Sequence, residues 1–218
     1  MPSETLEEYL ETIFKLSERG EVRPTPIAEA LGVSGPTVTA TLKRLESRGL
    51  ITRKGGAVVL TDAGRDLAVD IVRRHRVAER FLVDVLGLNW DEAHEDACAL
   101  EHALSPRVML ALEEFLDNPE VCPHGHPIPT AEGVITPVEG RPLCDLSSGS
   151  SSRIVQVAED DEAMLAYLGS LGMYPGTEVT VCEVAPFKGP LLVEVEGATY
   201  AIGRDVAEGI LVEPAKAK

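Results

Sequence analysis

The sequence predicts an α+β protein in three parts: an N-terminal winged helix-turn-helix, a central all-α domain and a small C-terminal β-barrel. Three observations predict it. Apolar residues recur at helical spacing through the first 50 positions and are followed at once by two β-prone arms around Gly55-Gly56. A second, longer helical pattern extends to Leu116. Beyond a segment rich in Pro, Gly and Ser, the pattern changes to short apolar strands separated by Gly and Pro.

Taken in order, the first helix is capped by Ser3, carries Leu6, Leu10, Ile13 and Leu16 at intervals of three and four, and ends at Gly20. A short second helix opens on Thr25-Pro26, where a first turn tolerates a missing N–H, and stops at Gly32. The third begins at Ser34, repeats Val38, Leu42 and Leu45, and meets a left-handed stop at Gly49. Leu50 to Thr61 forms the two arms of a wing. Thr61-Asp62 caps a long helix through roughly Leu86, Gly87 to Trp90 breaks it, and helical patterns follow from Asp91 to Leu104 and from Pro106 to Leu116. Periodicity is then lost, and the run Ser147 to Ser152 reads as a flexible linker. Strands are expected at Ile154–Val157, Glu178–Val184, Leu191–Val195 and Ile210–Val212, around one helix from Asp161 to Leu171. The expected domains are residues 1–72, 73–146 and 153–218, with 147–152 as the linker.

No window approaches the about 18 uninterrupted apolar residues of a membrane span, and the first 14 residues are acidic where a signal peptide is basic and then apolar. A cytoplasmic location without a membrane partner is expected. Cys98, Cys122, Cys144 and Cys182 show no CxxC spacing and read as reduced thiols, some of them available to metal.

The net charge of −16 argues at first against a nucleic-acid partner. The distribution reverses that argument. Residues 1–76 hold 12 Lys and Arg against 11 Asp and Glu, while residues 77–218 hold 8 against 25. Between Ser34 and Lys54, five basic residues face only Glu46. In a helix-turn-helix the second helix of the motif enters the major groove, which brings Ser34, Pro36, Thr37 and Thr39 to base edges. Lys43, Arg44, Arg48, Arg53 and Lys54 then meet phosphates. A winged helix can also be a protein-interaction module, but motif, wing and local charge agree here on double-stranded DNA.

Potential metal donors follow the wing. His75 and Glu79 stand one turn apart on one face. At about 100° per residue, His94, Cys98, Glu101 and His102 share roughly a third of the next helix's circumference. A single helix His or Cys is most often an ordinary packed residue; four donors on one arc are harder to explain so. Glu8 and Glu11 on the first helix are further carboxylates, and Cys122-Pro-His124-Gly-His126-Pro forms a constrained donor loop. There is no HExxH, phosphate loop or serine elbow, so an enzyme and a small organic substrate are not expected. A metalloenzyme with an accessory winged helix would need a general base that is not evident. A regulator answering to a non-metal ligand would need an aromatic pocket that 4% aromatic residues do not suggest.

The segments Val33–Thr39, Arg74–Arg80 and His94–His102 closely resemble the diphtheria toxin repressor family of iron- and manganese-dependent regulators. Gly169–Pro190 resembles the SH3-like domain that these proteins share with ferrous iron transport protein A. The resemblance implies a homodimer built by the central helices, two metal sites per subunit, and repression of metal-homeostasis genes only when metal is bound. Carried over by position, one site uses Glu8, Cys98, Glu101 and His102. The other uses His75, Glu79 and His94 with Asp160 or Asp161, and Cys122 and His124 match loop ligands of the manganese-responsive branch. Iron-responsive members have Met where Glu8 stands. A carboxylate in its place hardens the site towards Mn²⁺, whereas the softer Cys98 keeps Fe²⁺ as the alternative.

Overall fold

Ser3 leads into a helix whose apolar stripe, Leu6, Tyr9, Leu10, Ile13 and Phe14, is buried. The computed structural model describes residues 3–158 and 161–213. Helix α1 (Glu4–Arg19) is followed by α2 (Pro24–Ala30) and α3 (Gly35–Ser47). Strands β1 (Ile51–Lys54) and β2 (Ala57–Leu60) pair antiparallel, with Lys54 opposite Ala57. Helices α4 (Asp62–Asp84), α5 (Ala93–Glu101) and α6 (Pro106–Phe115) come next. The remainder is β3 (Arg141–Pro142), a 3₁₀ turn at Leu143–Asp145, β4 (Ser150–Val157), α7 (Glu162–Ser170), β5 (Glu178–Val184), β6 (Leu191–Val195), β7 (Ala198–Ile202), α8 (Arg204–Glu208) and β8 (Ile210–Val212).

These elements divide into two units. The first holds residues 1–75, 98–109 and 129–134, and the second holds 76–97, 110–128 and 135–218. In the first unit, Leu6, Leu10 and Ile13 of α1, Ile27 of α2 and Val38, Leu42 and Leu45 of α3 are all buried. Thr61 fastens the wing. Its hydroxyl donates to Gly49 O at 2.7 Å and accepts from Gly64 N at 3.1 Å. Position 64 has to be glycine, because a Cβ there would lie 1.9 Å from the Leu50 carbonyl oxygen.

In the second unit a six-stranded antiparallel sheet has the order β3-β8-β4-β5-β6-β7. Ile154, Val181, Leu191, Val193, Ile210 and Val212 fill its core, with Leu165 and Leu168 of α7. The turn from β6 to β7 is made by Glu196 and Gly197, both at positive φ (50° and 84°), as a two-residue type I′ hairpin requires.

Two expectations are corrected, and two elements are added. Ser150, Ser151 and Ser152 are not linker: they form the start of β4 and pair with Val181, Thr180 and Val179. Their hydroxyls find partners there, Ser151 Oγ with Thr180 Oγ1 at 2.8 Å and Ser152 Oγ donating to Glu213 O at 3.1 Å. Tertiary pairing overrides weak local strand preference. Secondly, α5 is shorter than the pattern Asp91–Leu104, because turns on Asn89 O and Leu100 O occupy its flanks. The added elements are β7, whose Ala198, Thr199 and Ala201 are all exposed and show no apolar alternation, and the one-turn α8. Among the described residues, no helix is long and apolar enough to cross a membrane.

Candidate metal centres and nucleic-acid interface

The nucleic-acid face belongs to the first unit. Ser34 caps α3, accepting from Thr37 N at 3.4 Å, while Thr39 Oγ1 donates back to Gly35 O at 3.0 Å. Ser34, Pro36, Thr37, Thr39, Lys43, Arg44 and Arg48 are all exposed, as are Arg53 and Lys54 beside the glycine turn of the wing. Gly55 and Gly56 make that turn at φ 58° and 88°. Arg53 Nε approaches Glu46 Oε2 at 3.6 Å, an exposed pairing of little energetic consequence. The exposed cations lie on α3, just after it and on β1, which is the arrangement needed to follow a phosphate backbone.

The first candidate metal centre lies in the same unit, where α1, α4 and α5 converge. His75 Nδ1 stands 2.7 Å from Glu101 Oε2, both side chains 1% exposed, and Cys98 Sγ is 3.8 Å from the same nitrogen. Glu11, His75 and Glu101 each offer a ligand atom within 4.8 Å of the others, all three buried. His102 Nε2 lies 3.3 Å from Glu101 Oε1, and its Nδ1 lies 2.8 Å from Glu7 Oε2. Buried Arg74 donates to the Glu101 carbonyl at 3.2 Å and pairs with Asp70, tying α4 to the end of α5. Burial above all, and then the charge of Glu11, raise the pKa of Glu101, against the opposing hydrogen bond with His75. Burial works to lower that of His102, but the hydrogen bond to Glu7 and the charges of Glu101, Glu7 and Glu8 outweigh it, and the pKa is raised.

The second candidate centre lies in the second unit. Glu79, Cys122 and His124, all buried, bring ligand atoms within 4.8 Å of one another. His94 Nδ1 stands 3.5 Å and His124 Nδ1 3.6 Å from the two oxygens of Glu79. The loop is shaped by backbone bonds, Cys122 N to His126 O at 2.8 Å and Gly125 N to Cys122 O at 2.9 Å. Gly125 sits at φ 86°, and a Cβ there would come 2.1 Å from Val155 O, so the loop presses directly on β4. Only a ring N–H can donate to a carbonyl. The 2.9 Å contact of His124 Nε2 with Trp90 O therefore places the proton on Nε2 and leaves Nδ1 as the lone-pair nitrogen facing Glu79 and Cys122. Sets of buried oxygen, nitrogen and sulfur donors of this kind fit a divalent transition-metal ion.

Within the first unit the structure brings one further carboxylate, Glu7, to the expected donors. His75 packs with Cys98 and Glu101 in the first unit. Glu8 is exposed, whereas Glu7 and Glu11 are the buried carboxylates of α1. Glu7 was missed, although a signal existed: it lies four residues before Glu11 and shares the buried side of α1 with Leu10 and Phe14. Asp161 is exposed and caps α7, accepting from Met164 N at 3.1 Å, and Asp160 lies outside the described residues.

Comparison with known proteins adds the following. A family model described as the iron-dependent repressor N-terminal DNA-binding domain matches residues 1–57. A second, the iron-dependent repressor metal-binding and dimerisation domain, matches residues 61–130, and the FeoA domain matches residues 141–214. The iron-dependent repressor IdeR of Mycobacterium tuberculosis is 37% identical over 225 residues, spanning 96% of this chain and 97% of the relative. The diphtheria toxin repressor of Corynebacterium efficiens is 36% identical over 222 residues, spanning 96% of this chain and 95% of its own length. A solved manganese-dependent transcriptional repressor in complex with manganese superimposes with a TM-score of 0.88 at 36% identity, covering 95% of this chain and 99% of that one.

Proposed function

The chain belongs to the family of iron-dependent repressors, metal-dependent DNA-binding proteins that are not enzymes, and from that premise we propose that it responds to Mn²⁺, with Fe²⁺ as the alternative ion. In this reading it acts as a homodimer in the cytoplasm on operators of metal-uptake and metal-homeostasis genes. The observation that carries the metal reading is the buried convergence of Glu11 of α1, His75 of α4 and Glu101 of α5.

A bound divalent ion supplies the positive charge that lets these carboxylates share one centre, which no unpaired buried anions could do cheaply. Every other part of the coupling belongs to the chain. Helix α1 is the first helix of the DNA-reading head, and its Glu7 and Glu11 side chains face α4 and α5 within the first unit. Holding α1 there fixes the head from which α3 and the wing project. We assign Glu8, Glu11, His75, Cys98, Glu101 and His102 to the first centre. Glu79, His94, Cys122 and His124 are assigned to the second, with Asp160 or Asp161 as a further carboxylate. Ser34, Pro36, Thr37 and Thr39 read bases, and Lys43, Arg44, Arg48, Arg53 and Lys54 meet phosphates. The exposed apolar side chains of α5 and α6, Leu100, Val108, Leu110 and Phe115, support the dimer.

The choice of Mn²⁺ rests on the carboxylates, since hard oxygen donors suit manganese while thiolate suits softer ions. Iron is favoured instead by Cys98, whose sulfur stands 3.8 Å from His75. Fluorescence anisotropy of upstream DNA across a panel of Mn²⁺, anaerobic Fe²⁺, Zn²⁺ and chelator decides between them. Tight binding only with Mn²⁺ or Fe²⁺ is expected. Equal binding in chelator would overturn metal dependence, and a response to Fe²⁺ alone would overturn the manganese assignment.

A further inference from the structure

We propose that Glu7 is a positioning residue of the first metal centre: its carboxylate holds the Nδ1–H of His102, so that Nε2 is the nitrogen presented to the ion. This deepens the reading of His102 as a ligand and rests on it. A neutral imidazole carries one N–H, and which nitrogen bears it is set by the hydrogen bond that nitrogen makes. Glu7 is 6% exposed, and its Oε2 lies 2.8 Å from His102 Nδ1. A carboxylate oxygen accepts, so the 2.8 Å contact is read as the ring's Nδ1–H donating to Glu7. The other nitrogen, Nε2, then keeps its lone pair, 3.3 Å from Glu101 Oε1 and therefore beside the Glu11–His75–Glu101 convergence.

Position on α1 explains why Glu7 and not its neighbour does this. Leu6 and Leu10 are fully buried and turn Glu7 inward with them, while Glu8 is exposed. A carboxylate behind a ligating imidazole does two things: it fixes the ring's orientation, and it makes the ring a stronger donor. Loss of such a partner typically weakens metal binding by about 10- to 100-fold. The same hydrogen bond joins α1 to the residue just after α5, so the DNA-reading head is tethered through His102 as well as through Glu11.

The test uses the full-length protein with ¹⁵N-labelled histidine, metal-free and at a pH where the ring is neutral. Long-range ¹H–¹⁵N correlation reports the tautomer of His102, identified by the signal missing in His102→Ala. Wild type is expected to show the Nδ1–H form. Glu7→Gln, whose amide oxygen still accepts, keeps that form and loses a few-fold in Mn²⁺ affinity. Glu7→Leu reverts towards Nε2–H and loses about 10- to 100-fold. An Nε2–H tautomer in wild type overturns the proposal. So does a loss of affinity in both variants with no tautomer change in Glu7→Leu, which would make Glu7 a ligand itself. Unchanged affinity in Glu7→Leu while His102→Ala is weakened overturns the role of Glu7 alone. Wild-type protein that binds no Mn²⁺ overturns the ligand reading beneath it. Glu7→Gln keeps the test alive if Glu7→Leu fails to fold.

Discussion

Protonation of two side chains sets the pH response of the first centre. Burial first, and Glu11 next, raise the Glu101 pKa, while Glu7, Glu101 and Glu8 raise that of His102 against the effect of burial. In the ligand role proposed for them each must be unprotonated, so protons compete with metal. Mn²⁺ affinity is expected to fall as pH drops through these raised values, and calorimetry in buffers of different ionisation enthalpy is expected to show protons released on binding. Without metal the sign for His102 reverses. Its folded pKa lies above the unfolded one, so the ion pair with Glu7 stabilises the fold below the unfolded value and is lost as pH rises through the folded value. Gly125 offers a second check at this scale. With φ at 86° and Val155 O 2.1 Å from any added Cβ, Gly125→Ala is expected to destabilise by more than about 1 kcal/mol. Its Mn²⁺ stoichiometry is expected to fall as the Cys122–His124 loop is displaced; a wild-type melting curve and full stoichiometry would contradict this account.

Among the elements, the wing and α3 present the exposed cations proposed to meet phosphates. Lys54 is exposed at the end of β1, so Lys54→Ala should weaken specific and non-specific DNA alike. The slope of log affinity against log salt should shrink by about one. A loss confined to one sequence would instead make it a base-reading residue. The start of α4 depends on Gly64, where a Cβ would enter the Leu50 carbonyl at 1.9 Å. Gly64→Ala must therefore move either the wing or the helix, and a lower thermal midpoint with weaker DNA binding is expected from calorimetry and gel shift. Strand β4 shows the other face of element-level logic. Three serines begin it, paired along β5, with Thr180 and Glu213 as partners for the Ser151 and Ser152 hydroxyls.

For the molecule as a whole, metal and DNA have to act on one equilibrium. If Mn²⁺ raises operator affinity by some factor, operator must raise Mn²⁺ affinity by the same factor. Measuring Mn²⁺ affinity with and without operator tests this, and equal values would sink the coupling. Dimerisation has a separate check. Leu110 is 61% exposed, so Leu110→Asp leaves the chain's own core untouched. Sedimentation is expected to show a shift towards monomer with little change in far-ultraviolet dichroism. An unchanged dimer would place the interface elsewhere.

Much of this was legible in the residues themselves. Helical spacing, glycine stops and the Gly55-Gly56 turn are local signals, and they predicted the winged head and the central helices because each depends on neighbours within a few positions. The candidate donors were legible as residue types, since His75, Glu79, Cys98, Glu101, Cys122 and His124 carry nitrogen, oxygen and sulfur groups at helical or loop spacing. What only the tertiary structure decided is which donor faces which. Glu7 and Glu8 are identical in composition and adjacent in sequence, and one helical step of about 100° separates the buried hydrogen-bond partner of His102 from an exposed carboxylate. The serine run became a strand, and Asp161 a helix cap, for the same reason: a hydrogen bond is claimed by whichever group the packed chain brings within about 3 Å, and that proximity is set by contacts far away in sequence.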